Sequence, residues 1–300
     1  MGSTDTIRLF HLPFSFMLPQ RVASEEGYFA EEGLDVELVE RNREDVDWKY
    51  IPAEETLTGD NDVDLYPVCK WESLKRTWDM GDGKIVARGT FADQPYSVFV
   101  RPESDIHTPA DLAGVPVGVN RRTGQEYTAI KALEDHINPT EVELSHCGMP
   151  TDRLSALRDG EVDAVTLLEP QSTLAEHLGF RRVMEFENHM GVVGADGLKG
   201  EVLDSFMAAY ARAVEDINEN PENYREAYLD MLTAEDDAGV APDLFEEVDI
   251  EELKADIDVP KYEVPDLADR DDLDQHLDWM KRRKLIDSDA DIDAIVAPVR

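Results

Sequence analysis

Hydrophobic residues in the first two thirds of the chain recur in short period-two runs, and the stretches between them repeat every three to four residues, which predicts strands alternating with helices. Strands are expected at residues 7–12, 34–39, 64–68, 85–91, 96–100, 115–119, 142–145, 164–168 and 182–186. Helices are expected at 19–30, 71–78, 124–133, 152–158 and 172–178. From Glu201 the character changes. Leu203, Phe206, Met207, Tyr210, Val214 and Ile217 mark one face of a long helix, Pro221 opens another through Leu232, and residues 273–285 form a third. No strand of comparable strength is expected after about residue 193, and residues 256–274 read as an acidic loop. This order implies parallel sheets with helices on both faces and a helical tail packed on one of the domains.

The stretch Val115 to Leu133 organises the rest. Val115, Val117 and Val119 alternate as a short buried strand, the loop Asn120-Arg121-Arg122-Thr123-Gly124 follows, and Tyr127, Ile130 and Leu133 continue at helical spacing. Thr123 is the expected N-cap, with Glu126 completing a capping box. The backbone N–H groups of that first turn, beside Arg121 and Arg122, form an expected seat for an anionic or strongly polar ligand group. Any βα unit offers such a helix start, so the local pattern also fits an ordinary piece of an α/β domain.

Composition changes the picture in one respect. Of 300 residues 42% are hydrophobic, enough for a sizeable core, yet 67 acidic residues face 29 basic ones for a net charge of -38. The acid is spread over the whole chain, which reads as the solvation layer of a protein from an extreme halophile; molar salt shortens the screening length to roughly 3 Å and makes such self-repulsion tolerable. Nucleic acid and anionic membranes are poor partners for this surface. Low salt is expected to destabilise the fold.

Cys69 and Cys147 stand far apart and in no ligand-type cluster, so neither a metal site nor a disulfide framework is expected, and no cofactor is called for. Asp60, Asp62 and Asp64 imitate the start of a calcium loop, but no glycine follows at the sixth place and Trp71 stands where the bidentate glutamate belongs. The N-terminal residues lack a basic region, an apolar core and a lipobox cysteine, and no run approaches the roughly 20 apolar residues of a membrane span. As written the chain is expected in the cytoplasm, or on the extracellular face of the membrane if a leader was removed.

Four motifs then fall in order. Glu26-Gly27-Tyr28-Phe29-Ala30-Glu31-Glu32-Gly33-Leu34-Asp35-Val36-Glu37 resembles the "GYF…GLDVE" signature of ABC-transporter substrate-binding proteins, in the branch handling nitrate, sulfonates, taurine and thiamine precursors. Thr108 to Gly114 resembles the "DL.G" step before that family's ligand loop, Leu157 to Ala164 its "L..GEVDA" turn, and Glu169-Pro170 the "EP" that follows. The resemblance spans residues 5–235. It implies an α/β, two-lobed periplasmic-binding-protein-like fold of the second type: lobe one from residues 1–92 plus 193–300, lobe two from 93–192, and hinge crossings near 92–96 and 189–194, where Gly191, Gly194 and Gly197 supply backbone freedom.

Ligands of open α/β sheets sit beyond the carboxyl ends of the strands, which selects the expected ligand-binding positions. They are His11, Phe14 and Ser15 after the first strand, Tyr66 and Trp71 around the third, Thr90, Gln94 and Tyr96 at the hinge, Arg121, Thr123 and Gly124 in the central loop, and Glu169. Each has a plainer reading: a loop histidine, core aromatics, a carboxylate capping the helix after Pro170. The set describes an aromatic-walled pocket with a helix start, suited to a small polar or anionic solute, aromatic ones included. The expected function is solute capture by domain closure for an ABC permease. The alternative is a cytoplasmic enzyme on the same fold, of thiamine-pyrimidine-synthase or menaquinone-pathway type. Cys147-Gly148-Met149 resembles a "CGM" of the former, but their cysteine-rich motif has no counterpart near residues 191–197, and residues 67–72 hold no histidine and a single lysine, Lys70, as a Schiff-base candidate.

Overall fold

The computed structural model describes residues 6–11, 15–40, 63–81, 83–88, 95–198, 200–237 and 248–298. The alternating pattern becomes two separate sheets. The first is formed by β1 (Ile7–His11), β2 (Val36–Glu40), β3 (Leu65–Cys69), β4 (Lys84–Arg88), β10 (Met190–Gly194) and β11 (Asp266–Leu267), in spatial order β11-β4-β10-β3-β1-β2. The second contains β5 (Tyr96–Val100), β6 (Pro116–Val119), β7 (Glu143–His146), β8 (Ala164–Leu167) and β9 (Arg181–Phe186), in the order β7-β6-β8-β5-β9. Strands β1, β2 and β3 pair in parallel, as do β6, β7 and β8, whereas β10 and β5 run antiparallel to their neighbours. The chain therefore crosses between the sheets twice, after β4 and after β9.

The helices follow from local chemistry. The single helix expected at 19–30 is two, α1 (Leu18–Glu25) and α2 (Tyr28–Glu31), because Gly27 takes a left-handed φ of 78° that only glycine adopts without strain. Helix α3 (Lys70–Met80) stops at Gly81, left-handed at its C-cap. Between β6 and β9 come α4 (Gly124–Glu134), α5 (Pro150–Arg158) and α6 (Gln171–His177). The tail supplies α7 (Gly200–Glu219), α8 (Pro221–Asp237), α9 (Ile250–Asp256), α10 (Arg270–Arg282) and α11 (Ile292–Ile295). Helix α7 buries Leu203, Phe206, Tyr210, Val214 and Ile217 of the stripe expected of it, with Met207 only half-buried at its edge, and Phe206 stacks on Phe29 of α2 at 5.7 Å between ring centroids.

One difference from the sequence expectation concerns residues 189–194. The sequence predicts a glycine-rich crossing there, whereas Met190–Gly194 is a fully buried strand between β3 and β4. Its glycines serve close packing: a Cβ on Gly191 would stand 3.0 Å from the Ser73 hydroxyl of α3, and one on Gly194 2.9 Å from Leu198. The return crossing accordingly lies at residues 187–189, and residues 190–192, counted with lobe two from the sequence, sit in the first sheet. The expected crossing at 92–96 lies mostly outside the described residues. The tail also holds what the acidic loop concealed: Tyr262, buried, donates its hydroxyl to the Ser15 carbonyl at 2.6 Å.

Candidate functional site

Between the two sheets lies a cavity of about 140 Å³. Its walls are mainly apolar. The half built on the first sheet contributes Phe10, Phe16, Met17, Tyr66 to Cys69, Glu72, Arg76 and Met190; the half built on the second contributes Tyr96, Asn120, Thr123, Gly124, Gln125, Met149, Pro150, Arg153 and Leu168, with Asn188 from the crossing. An engineered apolar cavity of roughly 150 Å³ holds benzene, so this volume fits a single six-membered ring with a substituent reaching towards the mouth.

Helix α4 starts here, though not as its sequence implied. The Thr123 hydroxyl donates to the Asn120 carbonyl at 2.7 Å rather than capping the helix, and Glu126 accepts from the Arg122 N–H at 2.7 Å instead of closing a box with Thr123. The helix-start N–H of Gly124 is met from the other sheet: Glu72 Oε2 of α3 accepts it at 3.1 Å. The other Glu72 oxygen pairs with Arg76 one turn along, and Arg76 donates to the Tyr66 hydroxyl at 2.8 Å. A Cβ on Gly124 would lie 2.3 Å from Cys69 Cβ, so the absence of a side chain is what lets α4 close onto β3.

The remaining polar groups are held in place. Asn188 Oδ1 accepts from the Cys69 thiol at 2.8 Å and the Thr128 hydroxyl at 3.1 Å, and its side chain also hydrogen-bonds Tyr96. Burial, with the Glu72 carboxylate nearby, pushes the Cys69 thiol up to about 11, which leaves it protonated and a poor nucleophile near neutrality. Enclosure of its hydroxyl likewise raises Tyr96, although the residue as a whole is only half-buried. Arg153 is buried among second-sheet elements, where Nε donates to the Thr166 carbonyl at 2.6 Å and an Nη to that of Gly148 at 2.7 Å.

Of the sequence-selected positions, the structure brings Tyr66, Tyr96, Thr123 and Gly124 to the cavity wall. Ser15 and Glu169 meet each other beside it, the Ser15 hydroxyl donating to the Glu169 carbonyl at 3.5 Å. The Glu169 carboxylate turns into α6, accepting from the Thr173 N–H at 3.2 Å and hydroxyl at 2.8 Å, the capping role of its plainer reading; burial raises its pKa. His11 is buried against Gln20, with 2.7 Å between Nδ1 and the amide nitrogen, and burial lowers it to about 4. Trp71 packs on His276 and Trp279 of α10, since position 71 lies a third of a turn away from the face of α3 that carries Glu72 and Arg76. Arg121 is exposed and donates to the Leu144 carbonyl at 2.6 Å. Lys70 pairs with Asp272 at 3.1 Å, away from this cavity. Phe14, Thr90 and Gln94 lie outside the described residues.

Glu72, Arg76, Asn120, Gln125, Arg153 and Asn188 were not selected from the sequence. One signal was available: Glu72 and Arg76 stand four apart on a helix, the spacing of an intrahelical ion pair. Nothing local marks Arg153 or Asn188.

Two sheets joined by two crossings around a shared cavity define a periplasmic-binding-protein-like fold. Solved structures agree. The periplasmic aliphatic sulphonate binding protein SsuA from Escherichia coli matches with a TM-score of 0.72 at 14% identity, covering 99% of this chain and 94% of its own. A Candida albicans protein described as exhibiting the generic periplasmic binding protein structural fold matches at 0.64 and 13% identity, covering 97% and 96%. The desulfurization enzyme DSZB matches at 0.59 and 15% identity, covering 98% and 96%. No curated protein matches the chain. The NMT1/THI5 like family matches residues 17–224, and the chain belongs to that family.

Proposed function

We propose that this protein is a solute-binding component of an ABC importer, which captures a small polar, ring-bearing solute between two lobes that close around it. The observation that carries the reading is the shared cavity: both sheets line it, and the two halves touch through Glu72 and the start of α4. A solute contacting both walls stabilises the closed arrangement by its differential affinity for closed over open. In this reading lobe one is the first sheet with the tail, lobe two is the second sheet, and the crossings at residues 187–189 and before Tyr96 act as the hinge. The fold neighbours include both a sulphonate binding protein and a desulfurization enzyme. What favours binding over catalysis is the lining itself, which among the described residues includes neither histidine nor lysine, and whose thiol is held protonated. Working with a permease, the protein would act on the outer face of the membrane; among the described residues no helix is long and apolar enough to cross it.

The test is a thermal-shift screen in molar potassium chloride against thiamine precursors, sulfonates, nitrate, pyridoxal phosphate, aromatic acids and their neutral amides, followed by native mass spectrometry of each hit. A solute that raises the melting temperature and is recovered unchanged supports the reading. A solute converted on incubation, or pyridoxal phosphate attached to Lys70, overturns it.

A further inference from the structure

The anion seat that the start of α4 offers is filled from within the chain. Glu72 takes the Gly124 N–H at 3.1 Å with one oxygen and Arg76 with the other, and Arg76 reaches the Tyr66 hydroxyl at 2.8 Å. Glu72 is 8% exposed and Arg76 5%. A guanidinium and a helix-start N–H converging on one oxyanion are the equipment of a carboxylate or sulfonate site, and here the oxyanion is a side chain of the protein. A second observation points to a different kind of ligand in the space that remains. Asn120 Oδ1 and Gln125 Nε2 are buried without a hydrogen-bond partner among the described residues, in residues each 8% exposed that both line the cavity. One is an acceptor and the other a donor, and a buried group left unsatisfied costs free energy that a complementary ligand edge recovers.

Resting on the solute-binding reading above, we infer that Glu72 is a specificity-determining residue: it stands in for a ligand's acid, so that the cavity selects a neutral ring-sized solute presenting a donor and an acceptor to Asn120 and Gln125. A second anion at the head of α4 would face a carboxylate across a mainly apolar, narrow site, where like charges repel strongly. Removing the Glu72 charge frees Arg76 and the Gly124 N–H for an external anion, which converts exclusion into attraction.

The test uses two probes of nearly equal size, benzenesulfonamide (neutral, with both a donor and acceptors) and benzenesulfonate, titrated calorimetrically in molar potassium chloride against the full chain and the variants E72Q and E72A. E72Q keeps the side-chain volume and an acceptor for Gly124, and its melting curve checks that the fold persists. Wild type is expected to bind the sulfonamide at least tenfold more tightly than the sulfonate. That ratio should fall at least tenfold in E72Q and reverse in E72A. A wild type that prefers the sulfonate would place the ligand's charge elsewhere, at Arg153, and overturn the inference; so would measurable binding with the same ratio in all three proteins, which leaves solute binding itself intact. Failure of both probes to bind any of the three also counts against the inference, whereas failure of the whole solute screen is what sinks the importer reading.

Discussion

Gly124→Ala tests whether closure of the two halves is what creates the site. An ideal Cβ at this position stands 2.3 Å from Cys69 Cβ and 2.4 Å from its sulfur. Carbon atoms in ordinary contact are about 3.5 Å apart, so the added methyl requires about 1.2 Å of separation between α4 and β3. Because the two elements belong to different sheets, opening the cleft relieves the clash without breaking either sheet, and alanine suits a helix start at least as well as glycine. Opening by that amount carries the Gly124 N–H beyond hydrogen-bonding distance of Glu72, from the present 3.1 Å. Overpacking of this kind costs about 1–3 kcal/mol, and a cost near 2 kcal/mol against the closed state alone weakens solute binding roughly 30-fold. The assay combines calorimetric titration with a solute found in the screen, the melting temperature of the free protein, and its radius of gyration by solution scattering. The expected result is weaker binding and a larger radius at an unchanged melting temperature. Adding Cys69→Gly, which removes the opposing carbon and sulfur, should restore part of the affinity. Wild-type affinity with an unchanged radius in Gly124→Ala would refute the reasoning.

Three further outcomes follow from the same geometry. His11 is folded with a pKa of about 4 against 6.5 when unfolded, because burial disfavours its charge and the nearby Arg21 guanidinium repels it. The unfolded chain therefore takes up the proton first, and stability present above about pH 6.5 is lost as the pH falls towards 4, by up to about 3 kcal/mol; chemical denaturation across that window should show the slope, and His11→Gln should flatten it, an unaltered slope excluding this residue as the cause. Glu169→Ala removes the acceptor for the first turn of α6 and should cost about 1 kcal/mol of stability while leaving solute affinity unchanged; weakened affinity at full stability would return Glu169 to the binding site. With a net charge of -38 the melting temperature should be lower in about 0.1 M than in about 2 M potassium chloride, as the screening length grows from below 3 Å to roughly 10 Å, and a salt-independent melting temperature would contradict that view of the charge.

Periodicity was enough to determine most elements, because alternation and helical spacing report burial on one face of a local segment. Tyr96–Val100 emerged with its expected bounds, and the face of α7 with all its expected residues buried except Met207, which is half-buried. The motif order carried the fold class as well. What local pattern misread was Met190–Gly194, where the glycines that resemble a flexible crossing are a buried strand packed under α3; flexibility and close approach demand the same residue, and only the neighbours distinguish them. The candidate site was legible in outline, as the head of α4 beside Tyr66 and Tyr96. Its chemistry was not. Thr123 and Glu126 have the spacing of a capping box, yet the turn at Asn120 claims the hydroxyl, and a carboxylate 52 residues upstream takes the helix-start N–H. Whether Glu72 meets solvent, Arg76 or α4 depends on how two sheets approach across a cleft. That contact is formed between residues distant in the chain, so it belongs to the tertiary structure alone.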